Sequence, residues 1–276
     1  MKSNLFKPHV ALPTDHGSWV FLFSPLAIGL LIGQKFTQAS LLLICAVTVA
    51  FLIRQPITVL VKISSNRRGR NDFPAALTWT MVYALLGLIT LIGLIRMGFS
   101  YLLLLAVPGI PVFAWYLMLI SRRLERRQVG VEIVATGVLS LAATAAYWVA
   151  KGFPDPAGWW LFLMTWLQSA ASIVYAYLRL AQRTIPADLE SKSLFNLGKR
   201  ALLYTSFNLV LALYLGLIHL LPAWLFLPYL LQWVETMYGT FNPAVGVKPI
   251  RIGIRQLIIS ILFTVLFISG WFLGTA

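Results

Sequence analysis

Arg54, Thr58 and Lys62 recur at intervals of four inside an apolar run, so a helix there carries them on one face. An arginine at the centre of a membrane helix costs at least about 2.5 kcal/mol. It must face a partner, water or an anion, or else snorkel to the surface. Pro56 lies beside it, removes a backbone donor and predicts a kink. Gln168, Ser172, Tyr175, Arg179 and Arg183 form a second one-faced stripe, and Gln232, Glu235 and Tyr238 a third. Interhelical hydrogen bonding without a ligand is the alternative for such stripes. Guanidinium and ammonium groups placed this way suit charge-assisted bonds to a phosphate or carboxylate. Glu235 and Glu132 are the acids at span ends, each placed to neutralise Arg54 or Arg179. His16 follows Asp15 in Pro13-Thr-Asp-His-Gly-Ser-Trp19, and histidine is the one side chain whose ordinary pKa lies near neutrality, which suits a proton-handling or anion-contacting pair. The same stretch also reads as a helix start, with Thr14 or Asp15 as the cap. The candidate ligand-binding set is therefore His16, Arg54, Lys62, Arg179 and Glu235, converging on one cytoplasm-facing cavity.

Other chemistries lack their residues. There is no Walker A loop, HExxH, GxSxG or strand-borne GxGxxG. His9, His16 and His219 are scattered, and Cys45 is the single cysteine. No metal site and no cofactor is expected. Lys248-Pro-Ile-Arg-Ile-Gly-Ile-Arg255 is a basic lead-in to the last apolar run. It sets topology or meets anionic lipid headgroups.

These stripes need long apolar helices to hold them, and the composition supplies them. The 276 residues are 59% hydrophobic and only 11% charged, with a mean hydropathy of +0.83. An ordinary soluble domain is about a quarter charged, so soluble and disordered classes are excluded. The expected fold is all-α, a polytopic membrane helical bundle forming one integral membrane domain over residues 1–276. Nine apolar runs approach the roughly 20 residues a crossing needs: 18–34, 39–63, 74–96, 99–120, 131–151, 157–180, 200–219, 221–238 and 254–275. The eighth is short and interrupted by Pro222 and Pro228. The segment 180–199 reads as a mobile or short surface-helical connector.

A net charge of +14 invites a nucleic-acid reading, but the positions of the cations argue otherwise. With the amino terminus inside, 18 of the 22 lysines and arginines fall on the inner side. Lys35, Arg96 and Lys151 fall outside, and Arg54 lies within a span. That is the positive-inside bias, so nine crossings, amino end in and carboxyl end out, are expected, and no nucleic-acid partner. Nothing in residues 1–17 resembles a cleaved signal peptide.

The segment Pro13-x-Asp-His-Gly-Ser-Trp19, followed by Phe23-Ser-Pro25, resembles the YwiC-like family of bacterial membrane proteins. There the motif reads Pro-x-Glu-His-Gly-Ala-Trp before a span with a central proline. The resemblance implies a multi-pass protein of the bacterial inner membrane. The layout is more distantly similar to the UbiA-type intramembrane prenyltransferases. Those carry aspartate-rich motifs on the second and sixth helices that hold Mg²⁺ and a prenyl diphosphate. Here Arg54, Lys62 and Asn66 stand on the second run, and Arg179 and Arg183 on the sixth. No carboxylate occurs in 39–71 or 157–187. The expected function is thus binding of an amphipathic anionic lipid or isoprenoid, with membrane lipids as the partners and a divergent UbiA-like transfer as one extension of it. A small-anion transporter and a non-catalytic accessory protein are the alternatives.

Overall fold

A computed structural model describes residues 7–13, 17–124, 128–186 and 189–274. His16, and with it Thr14 and Asp15, lies outside the described residues. Among those described, all regular elements are helices. They are α1 (Pro8–Ala11), α2 (Ser18–Gly33), α3 (Gln38–Leu52), α4 (Arg54–Ser64), α5 (Phe73–Arg96) and α6 (Leu103–Ala106). Then come α7 (Gly109–Ser121), α8 (Val129–Lys151), α9 (Ala157–Ala181), α10 (Ser191–Leu217), α11 (Phe226–Phe241) and α12 (Pro249–Leu273).

Among the described residues, seven stretches are long and apolar enough to cross a membrane: Gln38–Ser64, Arg70–Arg96, Ser100–Ser121, Val129–Lys151, Ala157–Thr184, Ser191–Leu217 and Pro249–Leu273. The first and eighth apolar runs form α2 and α11, of 16 residues each. At 1.5 Å per residue each covers roughly 24 Å, short of a hydrocarbon core of about 30 Å.

Local chemistry explains most boundaries. The kink expected at Pro56 appears as a break at Ile53, between α3 and α4. Proline cannot donate to the carbonyl four residues back, that of Leu52, so the ladder stops there. Two boundaries differ from the sequence reading. α10 starts at Ser191, inside the stretch read as a connector, because Lys192, Leu194, Leu197, Lys199 and Arg200 favour helix and no proline interrupts them. α12 starts at Pro249, where proline at the first helical position loses nothing. The basic lead-in is therefore the first two turns of that helix.

α9 is the hub, packed on α2, α8, α10, α11 and α12. α2 and α8 run parallel and pack closely on each other. A methyl group built on Gly29 would sit 2.2 Å from the Ala143 carbonyl, and one on Gly33 would sit 2.3 Å from the Ala150 Cβ. Gly29-Leu-Leu-Ile-Gly33 is a GxxxG pattern, which lets membrane helices approach through backbone contact. α3, α4, α5 and α7 form a flank that meets this body where α3 and α7 pack on α8. One end of the structure gathers the starts of α8 and α12 and the ends of α9 and α11. There Val129 and Ile133 pack near Leu178, and Arg183 donates to the Val247 carbonyl. The opposite end holds a cleft between Gly33–Lys35 and Ala150–Phe153.

Candidate functional site

The stripe on α9 faces α11 and α12. Arg179 is buried, and its Nη1 donates to the carbonyls of Gly239 at 2.6 Å and Asn242 at 2.7 Å and to Gln182 Oε1 at 2.8 Å. Those carbonyls belong to the unsatisfied last turn of α11, so Arg179 caps that helix from a neighbour. One turn deeper, the Tyr175 hydroxyl donates to Glu235 Oε1 at 2.8 Å. Gly239 makes this possible, since a Cβ there would lie 2.1 Å from the Tyr175 hydroxyl.

Glu235 is met from α12 by Arg255, whose Nε and Nη2 donate to its two oxygens at 2.7 and 2.8 Å. This is the bidentate fork that suits carboxylates. The carboxylate side chain is 9% exposed and the arginine side chain 44%. The guanidinium also lies 4.8 Å from the Tyr238 ring centroid. Reading the sequence alone pairs Glu235 with Arg54 or Arg179; the structure gives it Arg255 instead. Glu132, the other acid, accepts a bond from Tyr177 at 2.6 Å.

One more turn inward, Gln232 Nε2 donates to Gln168 O and Ser172 Oγ, both at 3.0 Å. Gln168 and Gln256 add bonds to Ser172 at 3.1 and 3.3 Å. A cavity of about 10 Å³ lies here, lined by Ser172, Tyr175, Gln232, Glu235, Gln256, Ile259 and Ser260. That is the space of one water molecule. Gln232 is 5% exposed, and its Oε1 has no hydrogen-bond partner among the described residues. Further along α12, Thr264 bonds to Ser24 of α2.

Of the sequence-derived set, the structure brings Arg179 and Glu235 together around α11. Arg54 and Lys62 stand half-buried on α4, which packs on α1, α3, α5 and α7. Arg54 lies 5.0 Å from the centroid of the Phe51 ring. Thr58, between them, is buried with its hydroxyl unpartnered among the described residues. Near that face Asp72 takes Lys7 and Arg68, each at 2.7 Å, and ties α1 to the start of α5. Gln55 donates to the His9 carbonyl at 3.0 Å, and Arg67 to that of Ile120. Among the described residues, no cluster of three His, Cys, Asp or Glu side chains stands where it could hold a metal ion.

Sequence reading missed Arg255 as the partner of Glu235 and took Tyr175 only as one member of a stripe. The signal for Arg255 was its place in the basic lead-in, four residues after Arg251 on one helical face. The family model described as YwiC-like protein matches residues 12–147. Over those residues the chain is similar to that family. The matched stretch runs from before α2 to near the end of α8; the polar cavity is built from helices beyond it. No curated protein and no solved structure matches the chain.

Proposed function

We propose that this chain is a YwiC-like protein that crosses the bacterial inner membrane nine times, amino end in the cytoplasm, and binds an amphipathic anionic lipid or isoprenoid. The polar head meets Arg255 at the mouth of the cavity between α9, α11 and α12 on the cytoplasmic side. The single observation that carries the reading is that cavity, where the polar residues Ser172, Tyr175, Gln232, Glu235, Gln256 and Ser260 meet within a bundle that exposes many large apolar side chains. Membrane interiors tolerate such groups where they serve a ligand, an ion or one another. Charge adds to it. Arg179 and Arg255 against Glu235 leave one positive charge in excess, and Arg183, Lys248 and Arg251 stand at the same end.

The tail stays in lipid. Val234 and Tyr238 of α11 and Ile254, Leu257 and Ile258 of α12 are exposed large apolar side chains beside Arg255. An anion at the exposed edge of that guanidinium would gain charge-assisted bonds worth about 1.5–3 kcal/mol each. The nine crossings rest on the alternation of cations. α2 and α11 are short, and a bilayer thins locally around short helices at modest cost. Arg54 and Lys62 enter the reading as a second cationic face on α4. The second and sixth runs carry no carboxylate to hold the Mg²⁺ that a UbiA-like transfer employs.

Lipid extraction and mass spectrometry of the purified protein test the reading. Wild-type protein is expected to carry about one anionic amphiphile per chain, and Arg255→Gln protein much less. An absence of any retained anionic amphiphile, or equal retention in the variant, overturns it.

A further inference from the structure

We infer that the headgroup taken by this cavity carries a hydroxyl as well as its negative charge, and that Gln232 reads that hydroxyl. The inference rests on the binding reading above and narrows it to a class. Gln232 is held in place by its own amide N–H groups, which go to Gln168 O and Ser172 Oγ. That fixes which side of the amide is the carbonyl. Oε1 is left as a buried acceptor, unpaired among the described residues and on a side chain that lines the cavity. A buried acceptor without a donor costs about 1–3 kcal/mol, so the site rewards an occupant that supplies an O–H.

Size and register narrow the class further. The cavity of about 10 Å³ admits one water-sized group, so a hydroxyl fits and a ring does not. Gln232 precedes Glu235 by three residues on α11, a rise of roughly 4.5 Å. Arg255 sits at the level of Glu235, where its fork engages that carboxylate. A phosphate at the outer edge of Arg255 with a hydroxyl a few bonds further in meets both. That is the pattern of a glycerol-phosphate head on a lipid, and it differs from a bare phosphate or a methyl ester.

Native mass spectrometry titrations with phosphatidylglycerol and phosphatidylmethanol of identical acyl chains test this. The two carry the same charge and differ in the hydroxyls. Wild-type protein is expected to bind phosphatidylglycerol about tenfold more tightly. Gln232→Leu should bind both within about twofold of each other, at the affinity wild type shows for phosphatidylmethanol. Ser260→Leu, which fills the cavity from α12 and leaves Gln232 in place, should lose the preference in the same way. Equal binding of the two lipids by wild type overturns the hydroxyl inference and leaves the anionic-lipid reading standing. A preference that survives both substitutions overturns the assignment to this cavity. Failure of both lipids to bind wild type removes the underlying reading as well.

Discussion

Arg255 holds Glu235 from the neighbouring helix through two bonds, Nε to Oε1 at 2.7 Å and Nη2 to Oε2 at 2.8 Å, while Tyr175 donates to the same carboxylate from a third. Three helices are thus tied at one acid. Removing a partner from a buried pair costs about 3–5 kcal/mol, but the Arg255 side chain is 44% exposed and can turn to water or headgroups. Glu235→Gln is therefore expected to cost about 1–2 kcal/mol, read as a lower Tm in detergent. Glu235→Gln combined with Arg255→Gln should cost less than the two single changes summed. Strict additivity would mean that the pair is not coupled.

Arg179 and Arg54 are both arginines inside apolar runs, yet their surroundings differ. Arg179 satisfies two carbonyls and an amide oxygen where α11 ends. Arg179→Leu takes the donor from Gln182 Oε1 and the Asn242 carbonyl, leaves the Gly239 carbonyl only its bond from Gln182 Nε2, and is expected to destabilise by about 2–4 kcal/mol. Arg54 offers a ring contact with Phe51, so Arg54→Leu is expected within about 1 kcal/mol of wild type. Thermal unfolding of the two variants side by side decides it; equal losses would contradict the contrast.

The stripe on α9 was legible because Gln168, Ser172, Tyr175 and Arg179 keep helical spacing, and polar side chains in lipid must point inward. The break near Pro56 was legible because proline cannot donate. What was not legible is azimuth between helices. Spacing places Arg54 on a face of its own helix and Arg179 on a face of another, but nothing in either run says which neighbours those faces meet. The Glu235–Arg255 pair has the same difficulty. It joins two helices through a turn, and Arg255 competed with 17 other inner-side cations. The Gly29–Gly33 contact carried a readable GxxxG signal that charge-led reading passes over.

That contact yields a stability test. Gly33→Ala must push α2 away from Ala150, because the new methyl falls at 2.3 Å from its Cβ. Overpacking of this kind costs about 1–3 kcal/mol. Ala150→Gly on top of it should recover most of the loss. Gly130→Ala is the control: its methyl meets nothing within 4 Å, and in an exposed first turn alanine is expected to be neutral or to stabilise by up to about 1 kcal/mol. A Gly33→Ala protein as stable as wild type would show that α2 and α8 do not pack through these glycines.

Topology is tested by side-selective labelling, and the packing fixes which positions must agree. Gly33–Lys35 and Ala150–Phe153 line one cleft, so Phe36 and Phe153, both exposed, must lie on one side of the membrane. Gly216 packs on Ala223, and Gly274 on Pro222. That places the α10–α11 turn beside the end of α12, with Leu220 exposed in it. Gly69 and Arg123 flank the Arg67–Ile120 bond and must lie together too. In a Cys45→Ser background, single cysteines at 36, 153 and 220 are expected to react with an impermeant maleimide added to spheroplasts. Cysteines at 69 and 123 should react only after lysis. Reaction of 153 from the cytoplasmic face alone would invert the proposed orientation. Protection of 220 with 153 still reactive would mean that the carboxyl-terminal helices do not alternate as the cation pattern requires, and nine crossings would fall. Opposite sidedness of 36 and 153 would contradict the parallel packing of α2 on α8, on which the whole body of the fold depends.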